Sequence, residues 1–338
     1  MNRMIFLLLI LSLSACDRPS PEPEVEPGRV LILNEGGFQQ STSSISRYND
    51  DTKVVSQDVF AAENGYNPGD VLQSATLIDG DLYLVVNNSG RIIVCDTDSL
   101  SETRRVDGFT SPRYLVHAGN GVAYLSDLFG GSISKIEVST LDVLASIPLM
   151  GWSEEMMMID NRLWIANQGA GKLYVLDPAT DSFVDSVEVG PGAANLELDA
   201  EGKVWVLCQG DFFTSADPSL FRVDPMTREV LTKVEFPSGA GASDLCLTRA
   251  KDQLLFLQDG QLQQLAISAS TLPPSRLFAS GSSFFYSLGV DPVSGEIYLG
   301  DAGDFVQRGN VFRLSPAGVP IDTFQAGIIP GEFFFLDK

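Results

Sequence analysis

Short apolar runs alternate with polar, glycine-containing turns from residue 30 almost to the C-terminus. The stretch from Arg162 to Gly202 sets the unit. Leu163–Ala166 is an apolar run followed by a polar turn, and Lys172–Leu176 is a second run closed by Asp177-Pro178. Phe183–Val189 and Ala194–Leu198 follow, separated by a Gly190-Pro191-Gly192 loop. Gly, Pro and Asp punctuate the runs because they suit the turn conformations that end strands. Four short strands in about 40 residues have the size of one propeller blade.

The unit recurs. An apolar-aromatic strand appears around Leu31, Tyr83, Tyr124, Trp164, Trp205, Leu255 and Tyr298, and from Tyr83 onward the intervals are 41, 40, 41, 50 and 43 residues. A following strand repeats as Ile92–Asp96, Ile133–Ile136, Leu173–Asp177, Leu220–Asp224 and Val311–Leu314. No long amphipathic helical pattern interrupts the series. The chain is therefore expected to be all-β, a seven-bladed β-propeller of four-stranded blades spanning residues 28–338. In each blade the innermost strand precedes the aromatic one, but Val30–Leu33 has no such predecessor. The run Gly331–Leu336 is the spare strand, and it is expected to complete the N-terminal blade and leave no open edge.

The N-terminus carries different information. Arg3 supplies a positive charge, Met4–Leu13 is an apolar segment too short to span a bilayer, and Leu13-Ser14-Ala15-Cys16 fits a lipobox. Residues 1–15 read as a lipoprotein signal peptide and Cys16 as the lipidated first residue, with several acyl chains giving stable membrane anchoring. Residues 16–27, rich in Pro and Glu, cannot pack a core and read as a tether reaching roughly 30 Å from the membrane. The acidic tract resembles surface-export signals, whereas Asp17 also has a retention reading, so the leaflet stays open.

The formal charge of −22, from 44 acids against 22 bases, argues against nucleic-acid partners. Beyond Cys16 there are three cysteines, Cys95, Cys208 and Cys246, whose spacing fits no metal motif. A Cys208–Cys246 pair is left open, because spacing alone cannot establish disulfide geometry.

The repeat, with its V-x-D-P turns and V-G-x-x-P loops, resembles the YncE-like (YVTN-type) propeller family from Gly28 to Leu336. The phrases Asn34-Glu35-Gly36-Gly37-Phe38, Gln73-Ser74-Ala75-Thr76, Val86-Asn87-Asn88-Ser89-Gly90, Ser111-Pro112-Arg113-Tyr114 and Tyr124-Leu125-Ser126-Asp127 narrow the likeness to Bacteroidetes BtuG-type surface lipoproteins. That resemblance implies an outer-membrane, cell-surface protein that binds a corrinoid (vitamin B12) and delivers it to a TonB-dependent transporter. The corrinoid would be a bound ligand, and no cofactor is expected.

In a propeller the loops entering the innermost strands and those between second and third strands open on one face. Here they concentrate amides, acids, aromatics and glycine, while opposite turns such as Asp79-Gly80 and Glu201-Gly202 are plain. Amides supply donors and acceptors and aromatic planes supply apolar area, a mixture that suits a corrinoid and would also suit a glycan. The stronger ligand candidates are Tyr66, Arg113, Tyr114, Trp152, Phe212, Phe213, Phe285, Tyr286 and Phe305, since a large side chain in a loop has no turn-forming role. Asn67, Asn87, Asp127, Glu154, Asn167 and Asp301 join them, although Asn and Asp at strand ends are also turn formers.

Catalysis is not expected. His117, the sole histidine, falls in an inner strand and reads as a packed or edge side chain, and no Ser–His–acid set assembles. A lactonase-like hydrolase would need oxygen ligands on a divalent cation. Glu35, Glu154, Asn167, Asn195, Asp244 and Asp301 could supply them, but no spacing singles them out. A propeller that docks a partner protein is the remaining alternative.

Overall fold

The computed structural model describes residues 28–211, 213–281 and 283–336. The signal peptide, Cys16, the tether and Phe212 lie outside the described residues. The first blade takes β1 (Val30–Asn34), β2 (Ser44–Asn49) and β3 (Val54–Ser56), after which α1 (Val59–Asn64) makes one short helix. Blade two is β4 (Leu72–Ile78), β5 (Asp81–Val86), β6 (Arg91–Asp96) and β7 (Glu102–Asp107). Blade three is β8 (Pro112–Gly119), β9 (Val122–Asp127), β10 (Ser132–Glu137) and β11 (Val143–Pro148). Blade four is β12 (Ser153–Ile159), β13 (Arg162–Asn167), β14 (Lys172–Asp177) and β15 (Ser182–Glu188).

Blade five is β16 (Ala193–Leu198), β17 (Val204–Cys208), β18 (Ser219–Val223) and β19 (Val230–Glu235), and blade six is β20 (Ala242–Leu247), β21 (Gln253–Gln258) and β22 (Gln261–Ala266). Blade seven is β23 (Phe285–Val290), β24 (Ile297–Asp301), β25 (Arg308–Leu314) and β26 (Pro320–Ile328), and the chain ends in β27 (Pro330–Phe335). Blade six keeps three strands, and a single bridge from Leu262 to Phe278 stands where the fourth would run. The other blades are antiparallel four-stranded sheets. Most of the excess in the 50-residue interval lies in the turn between β17 and β18, which is ten residues, Gln209 to Pro218.

Ring closure follows the sequence expectation. β27 pairs antiparallel with β1, Phe333 opposite Ile32, so the first blade is built from both ends of the chain. The apolar positions explain why the blades then pack. Second strands such as β1, β5 and β17 are buried along most of their length, because both faces lie against neighbouring blades. Outer strands such as β7 alternate exposed and half-buried positions. The buried residues divide into clusters that each bridge two blades. Trp164, Leu173 and Val175 of blade four pack on Leu196, Val204 and Phe221 of blade five. Val30, Tyr48 and Phe333 of blade one pack on Tyr298 and Val311 of blade seven.

The innermost strands face the axis, where no further strand can pair with them, and side chains take over. Ser74 and Thr76 of β4 donate to the carbonyls of Arg113 and Leu115 on β8, at 2.6 and 2.7 Å. Glu155 of β12 accepts from Leu196 N–H on β16 at 2.8 Å, and Asp244 of β20 from Leu288 N–H on β23 at 2.7 Å. Glu197 accepts from Leu247 N–H, Glu332 from Ala75 N–H, and Ser287 donates to Pro330 O at 2.6 Å. Between β8 and β12 the link is the Arg113–Glu154 ion pair at 2.8 Å. Every blade junction is bridged at the axis.

Two outcomes test this closure. Removing residues 331–338 leaves β1 as an open edge and takes Phe333 from the junction of blades seven and one, so thermal unfolding should lose its cooperative transition. Phe333→Ala in the full chain should lower stability by about 3–5 kcal/mol in denaturant titration. A truncated chain with an unchanged melting temperature would contradict the closed ring.

Candidate functional site

The loop-rich face is held together by one recurring contact. In blades one to six the turn after the second strand donates a backbone N–H to the loop that enters the innermost strand of the same blade. Leu128 donates to Ser111 O, Gln168 to Trp152 O, Gly210 to Pro191 O and Asp259 to Gly241 O, all between 2.8 and 3.1 Å. The side chain at the end of the second strand adds to the joint, within its own blade at Asp127 and Asn167 and across to the next blade at Asn87. Asn87 Nδ2 donates to Ser111 Oγ and Pro112 O, and Asn167 Nδ2 donates to Met150 O while its Oδ1 accepts from Ala170 N–H. Asp127 accepts from the N–H groups of Thr110, Ser111, Phe129 and Gly130. Asn87, Asp127 and Asn167, raised as ligand candidates, thus use their polar atoms to hold loops. Asp301 accepts from Gly303 N–H in the same manner.

Upon this frame sits a feature of a different kind. Among the described residues the exposed aromatics are Phe38, Tyr66, Phe129, Trp152, Phe213, Phe284 and Phe305. Each lies in a loop of the same face. The exposed apolar residues elsewhere, such as Leu77, Val143, Met226 and Val293, are aliphatic. Phe38, Phe129 and Phe284 were not among the candidates read from sequence, although they share the loops that were. The signal was there: an aromatic beside glycines at Phe38 and Phe129, and beside serines at Phe284, with no strand to bury it.

Phe285 requires a correction. Sequence alone puts it in the loop before the inner strand, but it is the first residue of β23, fully buried against Phe278 and Phe312 with ring centroids 5.9 and 5.3 Å away. Its neighbour Phe284, 61% exposed, is the one on the surface. Strand alternation separates the two, and a one-residue error in the strand start exchanges them.

The remaining candidates fall into three places. Tyr66 and Asn67 sit beyond α1 at the outer edge, where the Tyr66 hydroxyl donates to Glu102 under the Arg105 guanidinium and Asn67 reaches Ser41 O. Arg113, Tyr114, Glu154, Tyr286 and Phe305 gather at the axial mouth. There Arg113 pairs with Glu154 and binds Gln73 Oε1, its guanidinium lies 5.8 Å from the Tyr114 ring, and Tyr286 donates to Glu35 at 3.0 Å. Phe305 stands edge-on to Tyr286 at 5.6 Å. Trp152 and Phe213 line a separate groove of about 620 Å³ between blades four and five, with Phe129 edge-on to Trp152 at 6.1 Å.

Below the mouth lies an axial cavity of about 280 Å³, lined by Gln73, Tyr114, Glu155, Glu197, Asp244 and Glu332 among others. Glu155, Glu197 and Glu332 were missed from sequence, since a glutamate in a strand reads as solvent-facing. Burial pushes Glu155 up to about 8 against the Leu196 and Asn195 hydrogen bonds, and Glu197 and Asp244 to about 7. Burial also lifts Glu332 well above the usual carboxylate range, aided by Glu155 and Asp244. Glu35 and Glu154 are raised by burial as well, against Tyr286 and Arg113 for the first and Arg113 for the second.

The six oxygen-bearing side chains considered as metal ligands do not converge. Glu35 meets Tyr286, Glu154 meets Arg113, Asn195 donates to Glu155 at 2.7 Å, Asp244 holds Leu288, and Asn167 and Asp301 hold turns. Among the described residues no group of three or more His, Cys, Asp or Glu is arranged to hold a metal ion. His117 lies on β8 with Nε2 buried and unpartnered. Cys95, Cys208 and Cys246 are all free thiols, which closes the question of a Cys208–Cys246 pair.

Residues 29–310 match a family described as a domain of unknown function, DUF5074. The chain belongs to the DUF5074 family. No curated protein matches it. Among solved structures, this DUF5074 chain is similar to a quinonprotein alcohol dehydrogenase-like protein from Bacteroides thetaiotaomicron, at 15% identity and TM-score 0.69 over 91% of this chain and 78% of that one. A putative 6-phosphogluconolactonase from Bacteroides fragilis aligns at 12% identity and TM-score 0.68, covering 94% of this chain and 100% of the other. Dihydro-heme d1 dehydrogenase NirN aligns at 8% identity and TM-score 0.63, over 94% and 77%. At these identities the likeness is one of fold.

The axial carboxyls of the DUF5074 propeller make its stability depend on pH. Their folded-state pKa values are raised, so between about pH 4.5 and 8 the folded state binds more protons than the unfolded chain and loses stability as pH rises. The melting temperature should therefore fall by several degrees from pH 5 to pH 8. Glu155→Gln, which keeps an acceptor for Leu196 N–H, should flatten that slope. A melting temperature that rises over this window would contradict the assignment.

Proposed function

We propose that this protein is a ligand-capture propeller, anchored to the outer membrane through Cys16, which takes a large amphipathic nutrient on its loop-rich face. The ligand we assign is a corrinoid, passed on to a TonB-dependent transporter. The observation that carries the reading is the confinement of the exposed aromatics to one face. Exposed apolar side chains gathered on one face, as opposed to scattered singly, are the mark of an interaction surface. Each that becomes buried against a ligand contributes roughly 25 cal/mol per Å² of apolar area.

The polar atoms of that face suit a neutral ligand edged with amides. Cations at the roots of the loops are already engaged: Arg91 with Asp107, Lys172 with Glu188 and Arg308 with Asp58. Asp211, Asp217, Asp259 and Asp304 stand in the loops themselves. An anionic ligand would meet an acidic surface, in keeping with the net charge of −22. The BtuG-type phrases in the sequence are the reason for choosing a corrinoid within this class.

Calorimetric titration of the purified full chain with cyanocobalamin tests the reading. Binding at micromolar concentration or tighter is expected, and Trp152→Ala should weaken it at least tenfold with an unchanged melting temperature. Absence of heat at micromolar ligand sinks the corrinoid assignment.

A further inference from the structure

The groove between blades four and five is lined by five glycines, Gly169, Gly171, Gly190, Gly192 and Gly210, interleaved with Gln168, Ala170, Val189 and Pro191. The chain needs glycine there because backbones meet: a Cβ on Gly192 (φ +77°) would stand 2.4 Å from Gly210 O, and one on Gly171 (φ +63°) 3.1 Å from Gly190 C. The floor also satisfies its own hydrogen bonds. Gly192 N–H donates to Gln168 O, Gln209 N–H to Gly192 O, Gly210 N–H to Pro191 O and Gly171 N–H to Asn167 O. What remains is a flat platform that asks little of a ligand in polar pairing.

Its walls are Trp152, 46% exposed, and Phe213, 88% exposed. Asp211 adds a carboxylate whose oxygens are held by Phe213 N–H and the Thr214 hydroxyl, while Glu188 at the rim pairs with Lys172. Asp211, Thr214 and Glu188 are already engaged, which leaves a hydroxyl-rich sugar mainly the Gln168 amide to meet here. A flat ring would find two aromatic walls, peptide planes beneath it and local negative charge. Aromatic faces and carboxylates both favour positive over negative charge. A volume of about 620 Å³ falls within the usual span of small-molecule sites, roughly 300–1,000 Å³.

We propose that the groove between blades four and five is a binding site for a planar nitrogen heteroaromatic ring, neutral or cationic, seated on the glycine floor against Trp152 and Phe213. This deepens the capture reading, since such a ring is one part of a larger ligand on the same face, but it stands on the groove's own geometry. The protein carries its own reporter. Of its three tryptophans, Trp164 and Trp205 are 1% and 0% exposed, so Trp152 is the one a ligand in solution can reach.

One ring in three charge states supplies the probe: nicotinamide (neutral), 1-methylnicotinamide (cationic) and nicotinate (anionic), titrated against tryptophan fluorescence of the full chain. Saturable quenching is expected for the first two, with nicotinate at least fivefold weaker. Phe213→Ala should weaken both at least fivefold without changing the melting temperature. Linear, unsaturated quenching by all three is collisional and overturns the site. Tightest binding of nicotinate overturns its charge preference, and saturable binding of methyl glucoside without ring binding overturns its chemistry. Cyanocobalamin affinity unchanged in Phe213→Ala, with linear ring quenching, removes the groove and leaves the capture reading. Ring binding without cyanocobalamin binding keeps the groove and removes the corrinoid.

Discussion

The free edge of each innermost strand is the constraint on which the molecule depends. At the axis a strand has no further neighbour, and its unpaired N–H and C=O groups must be satisfied by other means. Here the preceding blade supplies side chains: a serine and a threonine on β4, carboxyls on β12, β16, β20 and β27, a serine on β23. Six junctions are closed by side chain against backbone and the seventh by Arg113 against Glu154. The bridges tie blades into a ring at its narrowest point, where apolar packing is thinnest. Outside the axis, each junction has its own apolar cluster.

The same arrangement concentrates acid in a small space. Glu155, Glu197, Asp244 and Glu332 line one cavity with little positive charge to offset them. Burial raises all four above the usual carboxylate range, which favours their protonated forms, and a protonated carboxyl can still accept the backbone N–H it was placed to hold. Acidity at the axis is thus a structural consequence of how strand edges are capped. The capping of strand edges is enough to account for it.

Much of the fold was legible because the repeat is written in strand-length apolar runs with fixed punctuation. Even β27 could be placed, since Val30–Leu33 lacked an inner partner and Gly331–Leu336 was spare. The site was legible only in outline. Asn87, Asp127 and Asn167 look identical in sequence whether they hold a loop or meet a ligand, and only in three dimensions do the loop contacts of their polar atoms become visible. Phe284 and Phe285 differ by a single step of strand alternation, which sequence periodicity does not resolve. The groove was invisible for another reason. Its lining is rich in glycines, which read as turns, and its existence depends on two blades bringing Gly192 within reach of Gly210. The ten-residue β17–β18 turn was the one numerical hint, as the interval of 50 where its neighbours were near 41.

Under the proposed function, one face of this DUF5074 propeller is built for capture and the other is not. Hydrogen–deuterium exchange of the full chain, with and without saturating cyanocobalamin, reads this directly. The account predicts slowed exchange confined to the loop-rich face, in the turns carrying Phe38, Phe129, Trp152, Phe213 and Phe305, with the opposite turns at Gly80, Gly202 and Gly295 unchanged. Protection centred on those opposite turns, or none anywhere, would contradict it.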